Sequence, residues 1–320
     1  MFLGPELRAQ PPHFDYTAFA LPENVNLTFR LSPHAHANDL PTSPELSAEF
    51  KAADAVIVEG VSSRNDLIKT LGKIARGDAK EYQRARTFAA EADQINYSNW
   101  VLGFYTALYG SRVPITSIDV DVRHRAIREF MQADERHVEA YASAASDADI
   151  LLAKKRYEPV LAAVKKRDQQ ILENLEPRID ELTSHHRNLA TKRGSQPIDI
   201  AVYFGTMHRS LFDAVTTKNI IDPTQGFTAQ LHASSTETLS EALYAHYLRD
   251  LPVPDTIYLA NIKLSIMQGY LLTYGLVEAD MPTLEREAYV LDLIGDKDLG
   301  EVREIGESMS RGKTARLWKP

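Results

Sequence analysis

Cysteine is missing from all 320 residues. With it go disulfides, thiolate nucleophiles and every zinc or iron–sulfur centre that needs a sulfur ligand. Excess positive charge is missing too. Lys and Arg number 36 against 44 Asp and Glu, a formal charge of −8, so no global field draws the chain to nucleic acid or an anionic membrane. No window approaches the ~18 uninterrupted apolar residues of a spanning helix. The most apolar late stretch, Ile262 to Val277, is interrupted by Lys263, Gln268 and two glycines and reads as a buried helix. The opening MFLGPELRAQPPHFDYTAF has neither a basic start nor a sustained apolar run, and does not read as a signal peptide. These absences lead to the expectation of a cytoplasmic protein with no membrane and no nucleic-acid partner.

What is present is an alternation of strand and helix patterns. A proline-rich arm of about 24 residues precedes a run, Asn24 to Leu31, in which Val25, Leu27, Phe29 and Leu31 alternate with polar residues, the period of a strand. It leads into the loop Ser32-Pro33-His34-Ala35-His36. Ala55 to Gly60, AVIVEG, reads as a buried strand stopped by its glycine, and Val113 to Ile118 and Ile198 to Phe204 read as two more. Gln83 to Tyr109 has apolar residues at sevens (Phe88, Ile95, Leu102, Tyr109) and is predicted to be one helix. Asp121 to Ala145 and Ile150 to Leu189 are predicted to form a long helical hairpin, about residues 121–190, turning near Ser146 to Asp149. A strand near Phe227 to Leu231 and three further helical stretches follow. The predicted fold is α/β: a mixed, largely parallel central sheet flanked by helices, with the hairpin inserted. One domain over residues 25–310 follows the arm (1–24), and a loose basic tail (311–320) ends the chain.

Four of these strands end in, or lead into, side chains that ligate metals or move protons: His34 and His36, then Glu59, then Asp119 and Asp121, then His208 after Gly205. In a parallel sheet the carboxyl ends of strands share one edge, where such folds bind ligands. Imidazoles and carboxylates suit Mn, Co, Zn or Fe as divalent ions, and a bound ion would acidify a water. Taken singly, each residue also has a plain reading. The histidines suit an ordinary loop, Glu59 would offset a helix dipole, and Asp119 and Asp121 are natural N-caps. Gly205 eases a sharp turn at the strand end. On the second hairpin helix, Asp168 falls into the apolar stripe Leu161, Val164, Ile171, Leu175, Ile179, Leu182, with Arg167 and Asn174 flanking it. Arg167 and Asp168 either pair with each other or face a polar pocket.

The order of these motifs resembles the TraB/Tiki superfamily, whose wider circle includes erythromycin-esterase-like and ChaN-like haem-binding proteins. AVIVEG supplies the family's strand-end glutamate as Glu59, VYFGTMH its later G-x-x-H with His208, and either His34 or His36 its early histidine. SIDVDVRHRAI is similar to the I-D-R-D-I segment, aligning Asp119 and Asp121. KKRDQQILENL resembles the R-D/N-x-x-M-x-x-N helix motif, aligning Arg167, Asp168 and Asn174. The resemblance spans roughly residues 25 to 230. It implies a metal-dependent hydrolase of peptide or ester bonds, acting on a small-molecule or peptide substrate. His34 or His36, Glu59 and His208 would hold the metal, with Asp119 as a ligand or behind one. Arg167 would steady an oxyanion or a substrate carboxylate, and Glu59 or a histidine would take the proton. Asp121, Asp168, Asn174 and Gly205 would support these from behind. The alternative in the same fold is a non-catalytic regulator binding metal or haem.

Overall fold

The runs VNLTFRLS, AVIV, ITS, IDIAVYFG and FTAQLHA form strands β1 (Val25–Ser32), β2 (Ala55–Val58), β3 (Ile115–Ser117), β4 (Ile198–Gly205) and β5 (Phe227–Ala233) of one sheet, ordered β3-β2-β4-β1-β5. The structure is a computed structural model and describes residue 16 and residues 19–32, 43–60, 64–91, 95–121, 123–221, 226–233, 238–273 and 283–312. Val25 lies opposite both Ile198 and Phe227, Ala55 opposite Ile200, and Val56 opposite Ile115; every pairing is parallel. A mixed, largely parallel sheet was expected; the α/β architecture holds, and the pairing is parallel throughout. The connections explain the difference, because each strand is joined to the next through at least one helix, and no hairpin turn is available to reverse the chain.

The helices are α1 (Ser43–Ala52), α2 (Arg64–Ala75), α3 (Ala79–Glu91), α4 (Ile95–Leu108), α5 (Arg125–Ala142), α6 (Asp147–Ala153), α7 (Tyr157–His185), α8 (Arg187–Arg193), α9 (Arg209–Ile221), α10 (Leu239–Leu248), α11 (Asp255–Thr273), α12 (Thr283–Ile294) and α13 (Leu299–Gly312). Alternation along β1 sends Val25, Leu27, Phe29 and Leu31 to one sheet face. There they pack with Ile198, Ile200 and Val202 of β4 and with Ile171, Leu175, Ile179 and Leu211 from α7 and α9. The opposite face, Val56, Val58, Ala201 and Tyr203, is covered by α1 to α4 through Phe50, Leu71, Ile74 and Phe104. Phe19 and Leu21, in the stretch read as an arm, are buried in the first of these cores. No helix among the described residues is long and apolar enough to cross a membrane.

Two predicted helices are broken. The heptad-spaced stretch ending at Tyr109 is α3 followed by α4, which folds back so that the Tyr82 and Tyr109 rings lie 4.6 Å apart, a contact one continuous helix cannot make. The hairpin is present as α5 and α7, but its second arm begins with α6 and a 3₁₀ turn, Lys154–Arg156. Ser146 caps α6 by accepting from the Asp149 N–H, which fixes the hairpin's turn where the sequence placed it.

Candidate functional site

Three adjacent strands deliver a side chain each to the carboxyl edge of the sheet. Glu59 follows β2 directly, and its N–H donates to the Tyr203 carbonyl at 2.9 Å, continuing the ladder to β4. Asp119 lies two residues beyond β3, and its own Oδ1 accepts from the Val120 N–H at 2.7 Å. His208 ends the 3₁₀ turn Thr206–His208 that follows β4. Helix α7 passes over this edge with Arg167, Asp168 and Asn174. Asn174 donates to the Ile118 carbonyl at 3.0 Å and so pins the chain leading into Asp119.

These residues form one connected network. Arg167 donates twice to Asp119, from Nε at 3.1 Å and Nη2 at 2.6 Å, and Nη2 also donates to Glu59 Oε1 at 2.8 Å. Glu59 Oε2 accepts the Gly205 N–H at 2.9 Å. Its Oε1 lies 3.2 Å from His208 Nε2, while His208 Nδ1 lies 2.7 Å from Asp168 Oδ1. The His208 and Phe204 rings stand edge to face, with 5.5 Å between centroids. Arg167 and Asp168, neighbours in sequence, therefore do not pair with each other. They point to opposite ends of the same network, so the mutual pair that the apolar stripe allowed is not formed.

The electrostatics follow from burial. Asp119 and Asp168 are 1% and 0% exposed, and His208 3%, whereas the side chains of Glu59 and Arg167 retain 13% and form the open end. Burial opposes a charge on His208, yet the Glu59 and Asp168 carboxylates outweigh it and push the imidazole up to about 10. When protonated, His208 donates on both sides, from Nδ1 to Asp168 and from Nε2 to Glu59. Burial likewise opposes the Arg167 charge, and Asp119 and Glu59 overcome it, raising an already strong base further.

A divalent ion would need carboxylate oxygens and neutral imidazole nitrogens free to converge on it. Here the Arg167 guanidinium already bridges Glu59 and Asp119, and both His208 nitrogens face carboxylates. As arranged, Glu59, Asp119 and His208 do not fit such an ion, and among the described residues no three His, Asp or Glu side chains do. Haem fits no better, since both His208 ring nitrogens already face carboxylates. His34 and His36 lie outside the described residues.

Of the remaining expected residues, Gly205 serves through its N–H on Glu59; it closes β4, and the turn is made by the 3₁₀ residues after it. Asp121 stands apart, accepting from the Arg123 N–H at 2.8 Å in the turn before α5. That helix is capped by His124, whose Nδ1 accepts from Ala126, and not by either aspartate. Three hydroxyl groups that sequence reasoning missed close around Asp168: Ser210, Tyr244 and Tyr16. Ser210 sits two residues past His208, the only hint available; Tyr244 and Tyr16 lie in segments with no motif. A groove of about 610 Å³ over the outer face of α7 includes Tyr16 and Tyr247 in its wall but neither Glu59 nor Arg167.

In comparisons with known proteins, no family model, no curated protein and no solved structure matches the chain.

Proposed function

We propose that this chain is a cytoplasmic hydrolase of ester or peptide bonds, with Glu59, His208 and Arg167 as its reacting groups. The observation that carries the reading is the buried His208 ring held between two carboxylates, one buried and one at the open end, beside the half-buried Arg167 at the carboxyl edge of a parallel sheet. Ionised groups are costly to bury even when paired, and they concentrate where chemistry needs them. In this reading Glu59 takes the proton of an attacking water. Arg167 steadies the oxyanion that develops on the substrate carbonyl. His208, a proton donor at neutral pH, protonates the leaving atom from Nε2, and the 3.2 Å contact with Glu59 then returns the proton to the ring. Asp168 keeps the ring turned toward Glu59 throughout. No step runs through a metal, because the donor set described above does not fit one. The likeness to TraB/Tiki sequences supports the hydrolase class and is itself part of the proposal.

The test is a hydrolysis screen against chromogenic esters and short peptides, with protein treated with EDTA and then dialysed. Wild type should turn over without added metal. Glu59→Gln should keep its fold and lose on the order of 100-fold or more, the scale of general-base catalysis. Wild-type rates from the glutamine variant would remove Glu59 from the mechanism. Activity that appears only when Mn²⁺ or Co²⁺ is restored would overturn the metal-free route and favour the metal-dependent one.

A further inference from the structure

Asp168 is fully buried on the core-facing side of α7, among Leu161, Val164, Ile171, Leu172 and Leu175. A carboxylate in that position is stable only if both oxygens are satisfied. Oδ1 is met by His208 Nδ1 at 2.7 Å. Oδ2 accepts from Ser210 Oγ at 2.6 Å and from the Tyr244 hydroxyl at 2.8 Å, distances typical of hydroxyl donors to an ionised acceptor. A third hydroxyl, of Tyr16, stands 3.5 Å from both Oδ2 and the Tyr244 oxygen, too far to count equally. The donors come from separate elements: Ser210 from the first turn of α9, and Tyr244 from α10. Helix α10 lies in the final third of the chain, which carries no motif.

We infer that Ser210 and Tyr244 are positioning residues of the proposed centre, their hydroxyls fixing the Asp168 carboxylate and through it the His208 ring, so that Nε2 faces Glu59. A carboxylate with two donors on Oδ2 cannot rotate that oxygen toward His208, so Oδ1 alone meets the imidazole and the ring plane is set. Deleting either hydroxyl leaves Oδ2 with one close donor instead of two, and the carboxylate is then free to turn. That freedom weakens its hold on Nδ1. The inference relies on the hydrolase reading for its purpose, but its test does not need turnover.

The test uses the full-length protein labelled with ¹⁵N-histidine, as wild type and as S210A, Y244F and Y16F, with H208Q identifying the His208 signals among those of the ten histidines. In wild type at pH 7, the proton between His208 Nδ1 and the buried Asp168 should resonate far downfield and exchange slowly with solvent. S210A and Y244F should each move that resonance upfield or broaden it away, and Y16F should move it least. Y244F removes one oxygen and no packing volume, so it carries the test even if S210A lowers stability. A resonance unmoved in Y244F would overturn the inference. A moved resonance in a protein that hydrolyses nothing would keep the positioning and sink the hydrolase reading; an unmoved one in an active hydrolase would do the reverse.

Discussion

At the scale of single residues, Arg167 carries the heaviest stability consequence. Its guanidinium is the bidentate partner of a side chain with no solvent exposure, Asp119. Arg167→Met should therefore strand a buried carboxylate and destabilise by about 3–5 kcal/mol, read as a lower urea midpoint. Arg167→Lys should recover only part of that, because an ammonium cannot engage both Asp119 oxygens and Glu59 in one plane. Two histidines set opposite limbs of the pH profile. His208 is raised from 6.5 to about 10, so its contribution is complete below pH 6.5 and is lost as pH rises through 10. His137 is lowered from 6.5 to about 4 by burial beside the Tyr258 hydroxyl, 2.7 Å away. Its contribution is present above pH 6.5 and is lost as pH falls through 4. Urea midpoints between pH 4 and 10 should trace a dome, with H208Q flattening the alkaline limb and H137Q the acid limb. A dome unaffected by both variants would assign these limbs to other groups.

At the scale of elements, α10 is tied in at its start by a reciprocal cap: Thr238 accepts from the Glu241 N–H, and Glu241 accepts from the Thr238 N–H at 2.8 Å. Thr238→Ala should cost about 1 kcal/mol. Because α10 carries Tyr244, the variant should also loosen the downfield His208 proton, which ties a surface cap to the site. Lys263 of α11 is buried, and its ammonium donates to Asp147 Oδ2 at 2.6 Å and to the Lys297 carbonyl at 2.8 Å, clamping α6 to the last helices. Lys263→Met should raise amide exchange in α6 and in the turn before α13 while leaving β1 and β4 protected. Elements were legible in the sequence where one periodicity ran unopposed, as in the β1 alternation and the apolar runs of β2 and β4. The split between α3 and α4 was not, because heptad spacing is equally satisfied by one helix or by two packed against each other. At the site, Glu59, Asp119 and His208 could be named from their places at strand ends, and Arg167 and Asp168 from charges on an apolar stripe. Which carboxylate each would meet depends on where α7 crosses the sheet edge, and no local pattern encodes that. Tyr244 was invisible, and Ser210 nearly so, for the same reason: a hydroxyl in a helix has no period of its own.

At the scale of the whole molecule, the order β3-β2-β4-β1-β5 bears on synthesis as well as architecture. Strand β1 emerges first, yet both of its neighbours are encoded far downstream, Val25 meeting Ile198 and Phe227. At a translation rate of about 5–20 residues per second, roughly 10 to 35 s separate β1 from its first partner. Through that interval Val25, Leu27, Phe29 and Leu31 have no sheet to join, while β2 and β3 and their four covering helices already have each other. The nascent chain is thus expected to condense from the middle outward, with its N-terminal strand held in waiting as a sticky, protease-sensitive ribbon. Nascent chains arrested shortly before residue 198 should be cleaved readily around residues 25–32, and those arrested well past residue 233 should resist. Slowing translation would lengthen the exposure of that ribbon, so the yield of folded protein should depend on ribosome speed and on holdase chaperones more than on the stability of the finished sheet.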